Sequence, residues 1–176
     1  MKVTVAMVTS LDGKTTKGNK PGARSWASPE DQAIFQSQIA AHDCLVMGST
    51  TYEEARPFMK PSADKLRIVL TRTPEKFAED VQPGLMFSSD SPQEIIKQAA
   101  NDGHQSLLLV GGATTNARFF DAGLVDEILV TVEPLLFGDG MPLVTALQKT
   151  IQLQLAECTR LNDQGTLLLR YIIQKT

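Results

Sequence analysis

Histidine and cysteine are scarce in this chain, with two of each among 176 residues. That leaves no spaced set of metal ligands and no Cys-His or Ser-His-Asp group for nucleophilic catalysis. Cys44 and Cys158 each sit in an apolar, strand-like run, the pattern of two buried thiols in a reduced compartment. No apolar run approaches the roughly 18 residues of a membrane span, and residues 3–8 are too short for a secretory signal core. A cytoplasmic protein without membrane attachment is therefore expected. A positive excess is missing too: 17 Lys and Arg face 20 Asp and Glu, a net charge of −3. Nothing draws the whole molecule to nucleic acid or to an anionic membrane, so any anionic ligand must be held locally. What is present, 42% apolar and 21% charged residues, suits one globular domain over residues 1–176.

Residues 2–9 are β-branched or apolar at nearly every position, as a central strand covered on both faces requires. A long loop over 10–27 follows, with turn signals at Asp12-Gly13, Gly18-Asn19 and Pro21-Gly22. Ser28-Pro29-Glu30-Asp31 combines an N-cap serine, proline at the first helical position and an acid three residues after the cap, so a helix begins there and runs to about His42. Residues 44–47 form a short buried strand. Gly48 to Glu54 turns into a second helix, with Thr50 and Glu53 at capping-box spacing and Pro57 and Pro61 at its end. Strands are expected at 66–70 and, more weakly, 85–88, then a helix over 92–102 closed by Gly103. A fully apolar strand at 107–110 runs into Gly111-Gly112, a helix over 114–122 stops at Gly123, and residues 127–132 alternate as a strand. The segments 151–158 and 166–173, joined through 162–165, form a terminal antiparallel hairpin. Strands alternating with helices up to about residue 123 imply an α/β fold with parallel pairings and right-handed crossovers.

Three strands, ending at Met47, Leu70 and Val110, pass through Gly, Ser or Thr into expected helices. In an open α/β sheet such junctions gather at the carboxyl ends of the strands, where unpaired helix N–H groups suit a pyrophosphate. The same residues also serve as plain turn and cap residues. Gly111-Gly112 is not the G-x-G-x-x-G fingerprint, although it permits close backbone approach. Arg72, between Thr71 and Thr73, has the fork to bond a 2′-phosphate, or it is a solvated loop arginine. Asp31 completes the capping box with Ser28, or it is a carboxyl group set above Phe35 and beside Trp26, in surroundings that raise its pKa for acid catalysis. Asp12 is first a turn residue. After it Lys14, Lys17, Lys20 and Arg24 follow with no acid between Gly13 and Trp26, either to hold a substrate phosphate or as a solvated loop.

Four segments carry a resemblance: MVTSLDGKTT at 7–16, WASPEDQAIF at 26–35, LVMGSTTYEE at 45–54 and LLLVGGATTNARFFDAGLVDEILVTVEPLLFGDGMPL at 107–143. Together they resemble the dihydrofolate-reductase-like superfamily, and within it the reductase domain of riboflavin biosynthesis, the RibD C-terminal domain family. The resemblance implies a three-layer fold: a mixed, mostly parallel sheet of about eight strands, helices on both faces and a C-terminal antiparallel hairpin. It also implies NADPH, its phosphates held at Gly48, Ser49, Thr50, Thr51, Thr71, Arg72, Gly111, Gly112, Ala113 and Thr114, with the glycine pair joined by a cis peptide. Asp31 falls where dihydrofolate reductases carry the acid of the pterin site, and Asp12 matches the SLDG aspartate of riboflavin reductases. These two are the catalytic candidates, with Lys14, Arg24, Trp26 and Phe35 for substrate binding, no metal, and a homodimer. The expected reaction is reduction of a C=N unit in a ribosylamino-pyrimidine 5′-phosphate, with a pterin as the second substrate and a non-catalytic NADPH-binding module as a further alternative. Val110 stands where riboflavin reductases usually have glutamate, residues 52–57 replace their D-P-x-L-T-x-R stretch, and Ser49 stands where dihydrofolate reductases commonly have a basic residue.

Overall fold

The structure is a computed structural model and describes residues 1–20, 22–60 and 63–174. Its first strand, β1 (Lys2–Ser10), is buried along almost its whole length. The chain continues through α1 (Pro29–Ala41), β2 (Cys44–Gly48), α2 (Ser49–Ala55), β3 (Leu66–Leu70), a 3-10 helix (Pro74–Asp80) and β4 (Leu85–Ser88). Then come α3 (Pro92–Asn101), β5 (Ser106–Leu109), α4 (Ala113–Asp121), β6 (Glu127–Glu133), β7 (Leu153–Arg160) and β8 (Leu167–Ile173). Among the described residues, eight strands join one sheet in the order β4-β3-β2-β5-β1-β6-β8-β7. Pairings from β4 to β6 are parallel, while β6 with β8 and β8 with β7 are antiparallel. The expected mixed sheet with a C-terminal hairpin is what the chain forms, and β1 lies between β5 and β6 near its centre.

Side-chain alternation sorts the helices into two layers. Val3, Val5, Cys44, Val46, Ile68, Leu107 and Leu109 face one side, where Ile95 and Ala99 of α3 and Phe119 and Phe120 of α4 complete the main core. Ala6, Leu45 and Leu108 face the other, against Phe35 and Ile39 of α1. On that second side Tyr52 of α2 packs with Met47, Val69 and Leu85. Among the described residues, no helix is long and apolar enough to cross a membrane.

Several local expectations change. Helix α2 starts at Ser49 with Gly48 as its N-cap and no side-chain cap bond, so the Thr50–Glu53 capping box does not form. The glycine places the helix start one residue before the threonine that was to cap it. The strand after Gly84 and the terminal hairpin form as expected, but the junction after Leu70 leads into a 3-10 turn instead of an α-helix. Cys44 is fully buried, and burial pushes its thiol up to about 12. Cys158 is exposed, contrary to expectation, because β7 is the outer strand of the sheet and all eight of its residues are open to solvent. Of the loop residues singled out from the sequence, Pro21 and Pro61 lie outside the described residues.

Phe119 has no exposed surface and sits in the main core. Phe119→Ala is expected to lower unfolding free energy by about 3–5 kcal/mol in urea denaturation, an effect that separates core support of α4 from any role at its N-terminus.

Candidate active site

The parallel pairings bring the carboxyl ends of β3, β2, β5, β1 and β6 to one edge. Gly48 pairs with Leu70 and Ser10 with Glu133, and beyond β5 the Gly48 N–H donates to Gly111 O at 2.8 Å. Gly111 and Gly112 are joined by a cis peptide. At this edge the chain needs glycine for space: a β-carbon on Gly48 would stand 2.7 Å from Thr115 Oγ1. One on Gly112 would meet Thr51 Oγ1 at 3.4 Å, filling the gap between the starts of α2 and α4.

Among the described residues, the four α-helices divide by how they are capped. Ser28 and Ser91 cap α1 and α3 with their side chains, whereas α2 and α4 begin on Gly48 and Gly112, which have none. The first-turn amides of α4, and those of the shorter α2 beside it, are left for an anion at the positive end of the helix dipole. Ser49, Thr50, Thr51, Ala113 and Thr114 belong to these two first turns. Thr71 is fixed beyond β3 by its N–H to Ser88 O at 2.9 Å and accepts the Thr73 N–H on its hydroxyl. Arg72 is exposed, and among the described residues it forms no ion pair. Open amides at two neighbouring helix starts suit an anionic group, and Arg72 follows two residues after Leu70, the strand partner of Gly48.

The two candidate acids have opposite surroundings. Asp12 accepts from Ser10 Oγ at 2.6 Å, Phe137 N at 3.1 Å and Gly138 N at 2.8 Å. These bonds, led by the serine hydroxyl, hold its carboxyl at about 2 and tie the loop after β1 to the loop after β6. Further bonds between Thr15, Thr16 and Met141 continue the seam, while the basic side chains of Lys17, Lys20 and Arg24 are exposed. Asp31 is 7% exposed. Burial raises its carboxyl group to about 6; a hydrogen bond from Thr131 opposes the rise and the charge of Glu133 adds to it. The expected capping box is only half made: Ser28 Oγ accepts the Asp31 N–H at 3.2 Å, but the Ser28 N–H goes to Glu133 Oε1 at 2.7 Å. The Asp31 carboxyl is thus not used up in its own cap.

Phe35 packs with Ile39 and Val110 against the sheet, on the helix that carries Asp31. Trp26 meets the Phe137 ring edge-on at 5.0 Å, and its buried Nε1–H has no hydrogen-bond partner among the described residues. Lys14 is half-buried and bridges to Pro142. Arg24 places its guanidinium 4.3 Å from the centre of the Phe58 ring, beyond α2. Thr131 and Glu133 were not singled out from the sequence. Their signal was the alternation of β6, which sends Ile128 and Val130 into the main core and Thr131 and Glu133 to the α1 side.

Comparison with known proteins agrees with this architecture. The family model described as the RibD C-terminal domain matches residues 1–167. The uncharacterized protein YwjB of Bacillus subtilis is 23% identical over 159 residues, covering 88% of each chain. The riboflavin biosynthesis protein RibD of Mycobacterium tuberculosis is 27% identical over 149 residues, which cover 77% of this chain and 43% of that one. Among solved structures, a pyrimidine reductase-like protein of Corynebacterium diphtheriae superposes with a TM-score of 0.81 at 15% identity, over 99% of this chain and 92% of that chain.

The Asp31 environment has a consequence for stability. Because its folded pKa of about 6 lies above the ordinary 3.8, the protonated form is favoured by folding. That contribution is whole below pH ~4 and is lost as pH rises through about 6. Asp31→Asn does not ionise, so urea denaturation across this range should show it gaining on the wild type by up to about 3 kcal/mol at pH 7.

Proposed function

The chain belongs to the RibD C-terminal domain family, and from that premise we propose that it is an NADPH-dependent reductase of a C=N unit in a small heterocyclic substrate. The first candidate substrate is 5-amino-6-(5-phosphoribosylamino)uracil, whose ribosylamino group presents the C=N unit in its open imine form. The observation that carries the proposal is a buried carboxyl group near pKa 6 on the sheet edge where two helices begin uncapped. A general acid works best when its pKa is close to the working pH, and Asp31 fits that role while Asp12, held at about 2 by three donors, serves the loop seam.

In this reading a bound nicotinamide supplies hydride to the imine carbon. Gly48, Ser49, Thr50 and Thr51 on one side, and Gly111, Gly112, Ala113 and Thr114 on the other, bind the diphosphate through backbone amides and hydroxyls. Thr71 and Arg72 take the 2′-phosphate. Asp31 holds the proton that the imine nitrogen receives, and the carboxylate left behind keeps the Thr131 hydroxyl as a donor until it is reprotonated from water. Phe35 and Val110 offer the heterocycle an apolar wall; Trp26 offers a ring and an N–H, and Lys14 and Arg24 a charge for a substrate phosphate. The same reading carries a cytoplasmic homodimer, for which the open edge strand β7, with Leu153 and Leu155 exposed, is the surface a second copy would cover.

The test is NADPH oxidation followed by absorbance with the ribosylamino-pyrimidine phosphate and, separately, with dihydrofolate. Turnover of the first supports the proposal, turnover of dihydrofolate alone moves the substrate to a pterin, and cofactor binding without either marks a binding module. Asp31→Asn is expected to lower kcat by about 10² to 10⁴, and wild-type turnover to fall as pH rises through about 6, where the acid loses its proton.

Cofactor choice gives an independent check. Arg72→Ala should weaken NADPH by about 10- to 100-fold and leave NADH unchanged. Gly112→Val, filling the gap toward Thr51, should abolish binding of both cofactors while the circular dichroism spectrum stays that of the wild type.

A further inference from the structure

Glu133 ends β6 and is 3% exposed, yet among the described residues neither it nor Asp31 is ion-paired with a Lys or Arg. A buried carboxylate without a cation must be held by hydrogen bonds, and both oxygens of Glu133 are. Oε1 accepts the Ser28 N–H at 2.7 Å, and Oε2 accepts the Thr166 hydroxyl at 2.7 Å. Asn162 extends the group: its Nδ2 donates to Thr166 Oγ1 at 3.0 Å and to Glu30 Oε2 at 3.1 Å, and its Oδ1 accepts the Thr166 N–H. One polar unit thereby binds the end of β6, the β7–β8 turn and the first turn of α1.

The protein contains its own control for what this unit does. In α3 the cap is Ser91 and the third residue is Glu94, whose carboxylate takes the Ser91 N–H at 2.8 Å to close a capping box. In α1 the cap is Ser28 and the third residue is Asp31, but the Ser28 N–H is already taken by a residue 105 positions away. We infer that Glu133 is a positioning residue for Asp31: it occupies the cap amide that the Asp31 carboxyl would otherwise bind, and so releases that carboxyl to meet the substrate. Its charge, facing the α1 side from β6, acts on Asp31 in the same direction by disfavouring a second carboxylate beside it. The other carboxyl group on this turn, Glu30, is held charged by its own backbone N–H first and then by Asn162, which lower its pKa. The inference rests on Asp31 being the proton donor for its consequence in turnover, but not for its structural content.

The experiment is a titration of the Asp31 side-chain carbon by ¹³C NMR in the ligand-free protein, in wild type, Glu133→Gln and Glu133→Ala. Gln still accepts the Ser28 N–H and lacks the charge, so the Asp31 midpoint should fall from about 6 by roughly half a unit to one unit. Ala vacates the cap amide, Asp31 closes the box on itself, and the midpoint should fall further than in Gln, by roughly one to two units, with burial still holding it above the ordinary carboxylate range. In both, the pH limb of kcat should move with the midpoint while KM for NADPH stays the same. A Glu133 that only stabilises the fold would lower the denaturation midpoint and leave Asp31 titrating near 6 in both variants, which overturns the inference. Should neither variant fold, Glu133→Asp keeps the charge but draws the carboxylate back from the Ser28 N–H by one methylene, which frees the cap amide for Asp31. A lowered Asp31 midpoint then supports the inference and an unchanged one overturns it. The titration needs no substrate. A protein that shows the shifts and oxidises no NADPH counts against the reductase reading alone, and an active enzyme with an unmoved midpoint counts against Glu133 alone.

Discussion

Parallel register is the constraint on which the rest depends. Five parallel pairings run from β4 to β6, so the ends of these strands lie along one edge and each must hand the chain to a turn there. Side-chain direction in a strand has period two, and a one-residue slip exchanges its two faces. Were β6 to slip by one, Thr131 and Glu133 would face α4 in place of Ile128 and Val130, and Asp31 would lose both its neighbours on the sheet. The site is therefore a by-product of the same ladder that buries the core.

Two aspartates at this edge illustrate how surroundings assign roles to one residue type. Asp12 lies at the surface among donors that favour its charge, and it fastens two loops together as a carboxylate. Asp31 lies buried in the first turn of α1, with one hydroxyl donor and a second acid for company. The first arrangement favours the charged form and the second the neutral form, so the pair is split in the way an acid and a structural anion need to be.

Capping follows a similar division. Serine side chains cap α1 and α3, and glycines at the starts of α2 and α4 leave the first-turn amides there without a side-chain cap. A glycine in place of a side-chain cap costs only about a few tenths of a kcal/mol, and the dipole end it leaves open is favourable to an anion. Glu133 adds a variation: the cap amide of α1 is satisfied from a distant strand, which leaves the nearby acid unspent.

The order of strands and helices, the central place of β1, the helix starts at Ser28 and Ser91 and the glycine pair after β5 were all legible in the sequence. These depend on alternation, propensity and caps, which act over a few residues and leave their pattern in neighbouring letters. The family resemblance likewise followed from short motifs in fixed order. The capping box at Thr50 was misread, and the two readings of Asp31 stayed open, because each was judged within its own segment, where a glycine one residue earlier or a strand 105 residues away decided the outcome. Cys158 had a strand-like setting, but its exposure depended on β8 inserting between β6 and β7 and leaving β7 at the edge. By itself the sequence determined which elements form and where the chain turns. Only the tertiary structure decided which carboxylate is buried, which is bonded and which amides stay open, because desolvation and long-range hydrogen bonds depend on distances that exist only once the strands have paired.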